Sequence, residues 1–173
     1  MRALARRSSR VRGFSADTAV ESEGVIVTEP SVRATAEETK AVIRRFIEEV
    51  QNQRNWDVFD DLNDPSFVNH SSPPGVPSDR EGGKAFLGGF LNAFPDARFT
   101  VEDMVAEGDQ VVTKKTFSGT HQAEFFGIPA TGKSVTLTFV DIMRLRDGRI
   151  TEHWLCMDQL SFMQQLGVIP TPE

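Results

Sequence analysis

The sequence predicts an α+β domain in which helices come first and a curved, mainly antiparallel sheet follows. Two observations predict this class. Apolar residues recur at helical spacing in the first half of the chain. The second half changes to alternating or continuous apolar runs enriched in Val, Thr, Phe and Ile. Helices followed by a meander of long strands are typical of an α+β fold.

The composition fits one globular domain and excludes several functional classes. The chain has 173 residues and a net charge of −6, but residues 1–16 hold five Arg and no acid, so the rest carries 14 basic against 25 acidic side chains. Such an acidic body is a poor nucleic-acid binder. No apolar run approaches the roughly 20 residues of a membrane helix. A single cysteine, Cys156, excludes an internal disulfide, and the absence of Tyr excludes a phenolic acid.

Residues 1–33 are predicted to lie outside the folded domain, which covers 34–173. Residues 1–16 are rich in Arg and lack acids, as in a mitochondrial transit peptide, and Arg12-Gly-Phe-Ser15 resembles a cleavage region. The alternative is a disordered N-terminal extension. Residues 17–33 are polar, lack periodicity and predict a linker. The expected location is the mitochondrial matrix if the segment is a transit peptide, and the cytoplasm otherwise.

Three helices are predicted ahead of the main strands. Thr35-Ala-Glu-Glu38 is a capping-box pattern, which opens the first helix. Asn55 is positioned to cap a short second helix that Pro65 ends. Ser78-Asp-Arg-Glu81 is a second capping-box pattern, and the third helix that it opens stops before Pro95. A final helix is expected over Gln159–Leu166.

The strands are predicted to form a bent sheet wrapped over these helices. Phe67–His70 indicates a short first strand, and two turns, Glu107-Gly-Asp109 and Arg146-Asp-Gly148, join later strands into hairpins. The resulting shape is a cone with an apolar interior. The four long strands are expected over Phe99–Ala106, Val111–Ser118, Ser134–Leu145 and Arg149–Met157.

The last hairpin decides which polar side chains meet. A three-residue loop at Arg146–Gly148 places Asp141 opposite His153, with both side chains on one face of the sheet. A two-residue turn shifts the pairing by one and places Asp141 opposite Trp154. The first register is favoured here. It also puts four apolar side chains on the face of Asp141: Phe139, Met143, Leu155 and Met157.

Eight short motifs occur in a characteristic order. They are Phe67-Val-Asn-His70, Ala93-Phe-Pro-Asp96, Glu107-Gly-Asp109, Gly119-Thr-His121, Gly127-Ile-Pro-Ala-Thr-Gly-Lys133, Asp147-Gly148, Glu152-His-Trp154 and Gln164-Gln-Leu-Gly167. Over roughly residues 36–169 the chain therefore resembles the SnoaL-like polyketide cyclase (ester cyclase) family. This family belongs to the nuclear-transport-factor-two-like superfamily of cone-shaped, cystatin-like α+β barrels.

The resemblance implies a small homodimer with a deep apolar cavity. It also implies ring closure of an aromatic polyketide by an intramolecular aldol step, without cofactor or metal. In the family pattern the catalytic aspartate directly follows the His-Trp pair, and that position is Leu155 here. The partner imidazole of the family maps near Asp141. The acid and base, if retained, therefore lie at different positions in this chain.

Three residues are candidate catalytic groups: Asp141, His153 and Asp158. An aldol closure needs a base that removes a proton beside a carbonyl and an acid that protonates the new alkoxide. Burial of Asp141 is expected to raise its pKa toward neutrality, so that it shares a proton with His153. The alternative is a buried structural ion pair. Asp158 is placed either for chemistry or only as the N-cap of the last helix.

The substrate-binding candidates are mostly apolar. Asn69 and His70, at a Pro-rich loop, are expected to orient a substrate oxygen or to form a solvated turn. His121 either touches the ligand or fixes the loop that follows it, and Trp154 either stacks on a flat ligand or packs away from Asp141. The remaining candidates are side chains expected on the cavity wall: Phe67, Phe86, Phe90, Phe139, Met143, Leu155 and Met157.

The leading functional hypothesis is a cofactor-independent cyclase or isomerase acting on a small, largely apolar carbonyl compound. No metal site is expected, because the three histidines lack ligand spacing. The alternative is a non-catalytic module that binds a hydrophobic ligand or dimerises through its sheet. Cofactor-free oxygenation or epoxide hydrolysis is a third option, and the latter needs an Asp-Arg-Asp-like set around water, for which only Arg144 is near.

Overall fold

The computed structural model describes residues 34–171. The predicted N-terminal extension or transit peptide at 1–33 lies outside the described residues, so the two proposed locations stay predictions. Within residues 34–171 four helices pack on a five-stranded mixed sheet that is not closed, which confirms the α+β class. The helices are α1 (Ala36–Arg45), α2 (Trp56–Leu62), α3 (Arg80–Ala93) and α4 (Gln159–Leu166).

The helix boundaries follow local capping chemistry. Thr35 and Glu38 form the predicted capping box, and α1 continues without a break into a π-helical segment, Phe46–Asn52. Asn55 caps α2 by accepting a hydrogen bond from the amide of Val58. The expected box at Ser78 is wrong by one residue. Asp79 is the N-cap of α3, because its carboxylate accepts from the amide of Gly82 at 2.8 Å.

The sheet has the strand order β1-β5-β4-β3-β2. Its first strand is longer than predicted and contains Pro65, which is tolerated because β1 lies at the sheet edge. β1 runs parallel to β5, and the other neighbours are antiparallel. The strands are β1 (Asn63–Asn69), β2 (Arg98–Glu107), β3 (Gln110–Thr120), β4 (Ser134–Arg146) and β5 (Arg149–Met157).

The β4–β5 hairpin differs from both predicted registers. Asp147 and Gly148 form a two-residue turn with φ values of 51° and 76°, as a type I′ turn requires. The pairing then shifts between Leu145 and Arg144, so Asp141 lies opposite Leu155 and not opposite His153 or Trp154. The offset from the favoured register is two residues, and side chains alternate with period two. Asp141 and His153 therefore still share a face.

The helices cover the inner face of the sheet and build an aromatic core. Phe90 of α3 lies 5.0 Å from Phe117, measured between ring centroids, and 6.4 Å from both Phe99 and Phe139. Phe117 and Phe139 stack at 5.7 Å on neighbouring strands. Because rigid rings bury much area with few rotatable bonds, this core holds α3 in place above the sheet.

We expect Gly82→Ala to lower the free energy of unfolding by about 2 kcal/mol, since overpacking typically costs about 1–3 kcal/mol. A Cβ at this position would lie 2.1 Å from the carbonyl oxygen of Pro77. Gly89 is the matched control in the same helix. It is exposed with nothing within 4 Å, so Gly89→Ala should stabilise by about 0.5–1 kcal/mol. Urea unfolding of both variants measures the difference, and stabilisation of both would contradict the contact with Pro77.

Candidate active site

A cavity of about 650 Å³ lies between the inner face of the sheet and the helices. This volume is in the usual range for small-molecule sites. Ten of the thirteen Phe residues line it, so its wall is largely aromatic. Those ten are Phe46, Phe59, Phe67, Phe86, Phe90, Phe99, Phe125, Phe126, Phe139 and Phe162.

Asp141 and His153 form a hydrogen-bonded pair that reaches this cavity. His153 Nε2 lies 2.9 Å from Asp141 Oδ1, and both residues line the cavity. The carboxylate is 3% exposed and the imidazole 18%. The favoured residue pair therefore meets, but diagonally across the ladder and not directly opposite.

Lys115, which the sequence analysis missed, is the third member of the cluster. Its Nζ lies 2.6 Å from Asp141 Oδ2 and donates to Gln51 Oε1 at 2.9 Å. The side chain is 1% exposed and also lines the cavity. The alternation of β3 could have found it, since Val111, Lys115 and Phe117 fall on one face. A lysine on an apolar face needs a buried anion, and Asp141 supplies it.

The pKa of Asp141 is low, contrary to the expectation from burial. Burial raises this pKa, but the charge of Lys115, then the hydrogen bond and charge of His153, outweigh that effect and bring it to about 2. Asp141 is therefore an anion at neutral pH and only accepts hydrogen bonds. His153 Nε2 must then carry a proton that points at Asp141, and Nδ1 lies on the other side of the ring. Nδ1 has no hydrogen-bond partner within residues 34–171.

This low pKa makes the protein acid-sensitive in a defined window. The folded value of about 2 lies below the ordinary 3.8, so ionised Asp141 stabilises the fold above about pH 4, and this is lost as pH falls toward 2. The contribution is on the order of 2 kcal/mol. Urea unfolding between pH 2 and 6 should show a steeper loss for the wild type than for Asp141→Asn. Equal slopes would contradict the pKa assignment.

Asn69 and Ser71 place polar atoms on the wall near the cluster. Asn69 pairs with His153 across β1 and β5, and its Oδ1 accepts from the amide of Ser71 at 3.0 Å. Ser71 Oγ in turn bonds the backbone amide of Leu155 at 2.8 Å. Both Asn69 and Ser71 line the cavity. The amide nitrogen of Asn69 bonds no residue in 34–171, so it is free to meet a ligand oxygen.

The apolar wall candidates lie where the sequence placed them. Phe67 comes from β1, Phe86 and Phe90 come from α3, and all three line the cavity. The strands β4 and β5 contribute the others to the same cavity wall: Phe139, Met143, Leu155 and Met157.

His70 and Trp154 lie outside the cavity, on the opposite face of the sheet. Their rings stack at 4.4 Å with an angle of 8°. His70 Nε2 lies 2.7 Å from Glu152, which also pairs with Arg144. Arg144 lies over the Trp154 ring at 5.6 Å. The expected oxygen contact of His70 and ligand stacking of Trp154 therefore do not fit this placement. Arg144 faces away from Asp141, which removes the support for epoxide hydrolysis.

His121 fixes a loop and does not line the cavity. Its Nδ1 accepts a hydrogen bond from the amide of Thr131 at 3.3 Å, and its ring stacks on Phe94 at 5.1 Å. Burial lowers the pKa of His121, so the ring stays neutral. The loop that it holds carries Phe125 and Phe126 on the cavity wall. His121 therefore shapes the cavity indirectly.

Asp158 caps α4 and lies outside the cavity lining. Its carboxylate accepts from the amide of Ser161 at 2.8 Å. We expect Asp158→Ala to lower the free energy of unfolding by about 1 kcal/mol, because one helix amide loses its partner. Asp158→Asn is the control and should keep most of the stability. Thermal unfolding measures both, and an unchanged Asp158→Ala would contradict the capping role.

The part of the chain described by the structure contains no group of three His, Cys, Asp or Glu side chains that could hold a metal ion. Within the same residues, no helix is long and apolar enough to cross a membrane.

Comparison with known proteins connects this geometry to one family. Residues 41–166, well over half of the chain, match the model of the SnoaL-like polyketide cyclase family. No curated protein is significantly similar in sequence. Among solved structures, IdmH from Streptomyces antibioticus, named a "putative polyketide cyclase", is 36% identical, with a TM-score of 0.65 over 75% of this chain and 98% of that one.

Two further Streptomyces structures match the same fold. TsrD from Streptomyces laurentii is 28% identical, with a TM-score of 0.71 over 79% of this chain and 99% of that one. AclR from Streptomyces galilaeus, named a "putative hydroxylase", is 29% identical, with a TM-score of 0.71 over 80% of this chain and 87% of that one. Because these names cover different reactions, the activity has to be argued from the site residues.

Proposed function

Because the chain belongs to the SnoaL-like polyketide cyclase family, we propose that it catalyses a cofactor-independent cyclisation or isomerisation of a small, polyketide-like carbonyl compound. One observation carries the proposal. An imidazole oriented by a buried carboxylate, His153 on Asp141, reaches an aromatic cavity of about 650 Å³. Such a pair supplies a positioned base on a cavity wall that is mostly apolar.

His153 is the proposed base, and Asp141 positions it. Nδ1 takes a proton from the carbon beside the substrate carbonyl, and the electron pair of that C–H bond moves to the carbonyl oxygen, giving an enolate. Asp141 accepts from Nε2–H throughout and stabilises the imidazolium that forms. The amide nitrogen of Asn69 donates to a substrate oxygen.

Ring closure or isomerisation follows from the same enolate. In cyclisation the enolate carbon attacks a second carbonyl of the same molecule, a C–C bond forms, and the new alkoxide takes the proton back from His153. In isomerisation that proton returns to a different carbon. The Phe-rich wall favours a folded, apolar substrate and excludes competing water.

A second candidate function is non-catalytic binding of a hydrophobic ligand. Leu155 favours it, because an apolar side chain that lines the cavity stands where the family pattern has its catalytic aspartate. In this case the Lys115–Asp141–His153 cluster only fixes the cavity shape.

Hydrogen–deuterium exchange separates the two candidates. β-Tetralone, a bicyclic aromatic ketone with enolisable C–H bonds, is incubated in D₂O with the protein and followed by proton NMR. Catalysis predicts exchange above the buffer rate that saturates with ketone concentration. Binding without exchange above the buffer rate would support the second candidate and contradict the first.

We also propose that the chain assembles as a homodimer, as the family resemblance implies. One chain has a mass of 19.2 kDa. Light scattering after gel filtration should therefore give twice that mass. A mass of one chain at micromolar concentration would contradict this assembly.

A further inference from the structure

Lys115 has a donor that the protein does not use. Its ammonium carries three N–H groups. Within residues 34–171 one is directed at the carboxylate of Asp141, with which Lys115 forms an ion pair, and one donates to Gln51 Oε1. The remaining direction is bounded by the ring of Phe99, whose centroid lies 5.0 Å from Nζ. Lys115, Gln51 and Phe99 all line the cavity. The third N–H therefore has only a cation–π contact with Phe99, which a ligand oxygen entering beside that ring could replace.

The charges of the cluster suit a reaction that creates an anion. The ammonium of Lys115 and the carboxylate of Asp141 cancel each other's charge, so this ion pair adds no net charge to a proton transfer onto His153. Transfer of a substrate proton to His153 makes an imidazolium and an enolate, so the total stays zero. Without Lys115 the site would carry one uncompensated negative charge both before and after the step, which is strongly unfavourable in an apolar cavity.

We propose that the Lys115 ammonium binds the anionic oxygen of the substrate, and that the substrate class is compounds with an acidic enol or phenol oxygen. This inference rests on the proposed function for its reaction but not for its binding. Enolised 1,3-dicarbonyl compounds and phenols share the chemistry that the cluster recognises: an O–H group that ionises easily, attached to a flat apolar frame. The oxygen meets Lys115, and its O–H proton passes to His153 Nδ1 in place of the C–H proton of a simple ketone, giving the enolate or phenolate while the frame packs among the Phe rings.

A purely structural Lys115 makes a different prediction. If its only role is to neutralise Asp141, then removing both charges together leaves the cavity equally able to bind a phenol and indifferent to the phenol's ionisation. If Lys115 binds the ligand oxygen, the ionised form is preferred only where Lys115 is present. Ionisation of a bound phenol therefore separates the two roles.

The test uses para-nitrophenol, whose absorbance distinguishes phenol from phenolate, at about one pH unit below its solution pKa. Wild type should bind it as phenolate, with the acid constant of the bound phenol raised at least about tenfold. Asp141→Asn, which keeps Lys115, should still bind the phenolate. The charge-balanced variant Lys115→Met/Asp141→Asn should bind only the neutral phenol and lose at least about tenfold in phenolate affinity.

para-Nitroanisole, which cannot ionise, controls for an intact cavity and should bind all three proteins within about twofold. Phenolate binding by the double variant, or neutral-phenol binding by the wild type, overturns the proposal. Because the readout is binding, its outcome is independent of turnover. Phenolate binding without ketone exchange would support Lys115 as the anion site and count against the proposed catalysis alone.

Discussion

His153→Gln is expected to lower the rate of β-tetralone exchange by a factor of about 100 to 10,000, the usual contribution of a positioned general base. Gln is close in size and can still donate to Asp141, so the cavity and the fold are retained. It has no lone pair of suitable basicity at the place of Nδ1. NMR exchange rates at saturating ketone measure the loss, and circular dichroism checks the fold.

Asp141→Asn should cause a loss of similar size for a different reason. The amide no longer fixes the imidazole tautomer with Nε2–H toward residue 141, nor does it stabilise the imidazolium. This variant leaves the Lys115 ammonium without its buried anion, so it should also lose stability; Lys115 keeps its hydrogen bond to Gln51, and circular dichroism checks that the variant is folded. Asp158→Ala is the matched control, since Asp158 lies outside the cavity lining, and should exchange at the wild-type rate. Wild-type exchange by either His153→Gln or Asp141→Asn would contradict the assignment of the base.

Lys115→Met is expected to lower the free energy of unfolding by about 3–5 kcal/mol, the largest stability effect that we predict. The substitution removes the cation that lies 2.6 Å from a carboxylate with 3% exposure. Asp141 is then a buried carboxylate with only the imidazole of His153 beside it, so it must take up a proton or admit water. Both responses cost stability, and both alter the hydrogen bond to His153.

Two companion variants test the cause of that loss. Lys114→Met is the control at the next residue, where the lysine is 54% exposed and pairs with the exposed Glu102; it should change stability by less than about 1 kcal/mol. Lys115→Met/Asp141→Asn should recover much of the loss, because no unpaired charge remains buried. Urea unfolding measures all three. Equal stability of Lys115→Met and Lys114→Met would contradict the buried ion pair.

The helices could be predicted from sequence because their signals are local. Thr35 and Glu38 lie three residues apart and satisfy each other's amides, so no distant contact is needed to place the start of α1. Asn55 acts in the same way for α2. At α3 the expected cap, Ser78, is followed directly by Asp79, another residue type that caps helices, and Asp79 is the N-cap. The close approach of Gly82 to Pro77 is a tertiary contact, which the capping pattern does not reveal.

The register of β5 depended on contacts that the sequence does not display. The turn itself follows from Asp147-Gly148, but the shift between Leu145 and Arg144 does not. Thr151, left without a ladder partner there, bonds the carbonyl of Arg144. The turn has two residues and not the expected three, which shifts the pairing by one residue from the favoured register. The bulge at Thr151 shifts it by one more. The face of Asp141 and His153 was therefore predicted correctly although their pairing was not.

The polar side chains divide according to face, and this explains which site candidates lie together. Asn69 and His153 are paired on β1 and β5 and both line the cavity. Trp154, one residue further, points to the other face and stacks on His70. His70 follows the end of β1, so strand alternation did not determine its direction. Lys115 was overlooked because a lysine beside Lys114 suggests a solvated pair unless the alternation of β3 is followed.

The departure from the family pattern has a physical counterpart in the sheet. Leu155, which occupies the position of the family's catalytic aspartate, lies directly opposite Asp141 on the neighbouring strand. The carboxylate of this chain therefore lies on β4 and not on β5. The imidazole of His153, on β5, lies 2.9 Å from it. A buried lysine then compensates the carboxylate from the other side. A carboxylate and an imidazole thus lie on these two strands with their positions exchanged relative to the pattern that the family resemblance implies.

The stereochemistry of deuterium uptake tests the central claim most directly. A base fixed on one face of a bound ketone removes one of the two hydrogens of a CH₂ group, whereas buffer removes both equally. NMR of singly deuterated β-tetralone in a chiral alignment medium distinguishes the two products. We predict one enantiomer in excess with the wild type and none with His153→Gln. A racemic product from the wild type, formed no faster than in buffer, would contradict a base positioned by Asp141 inside the cavity.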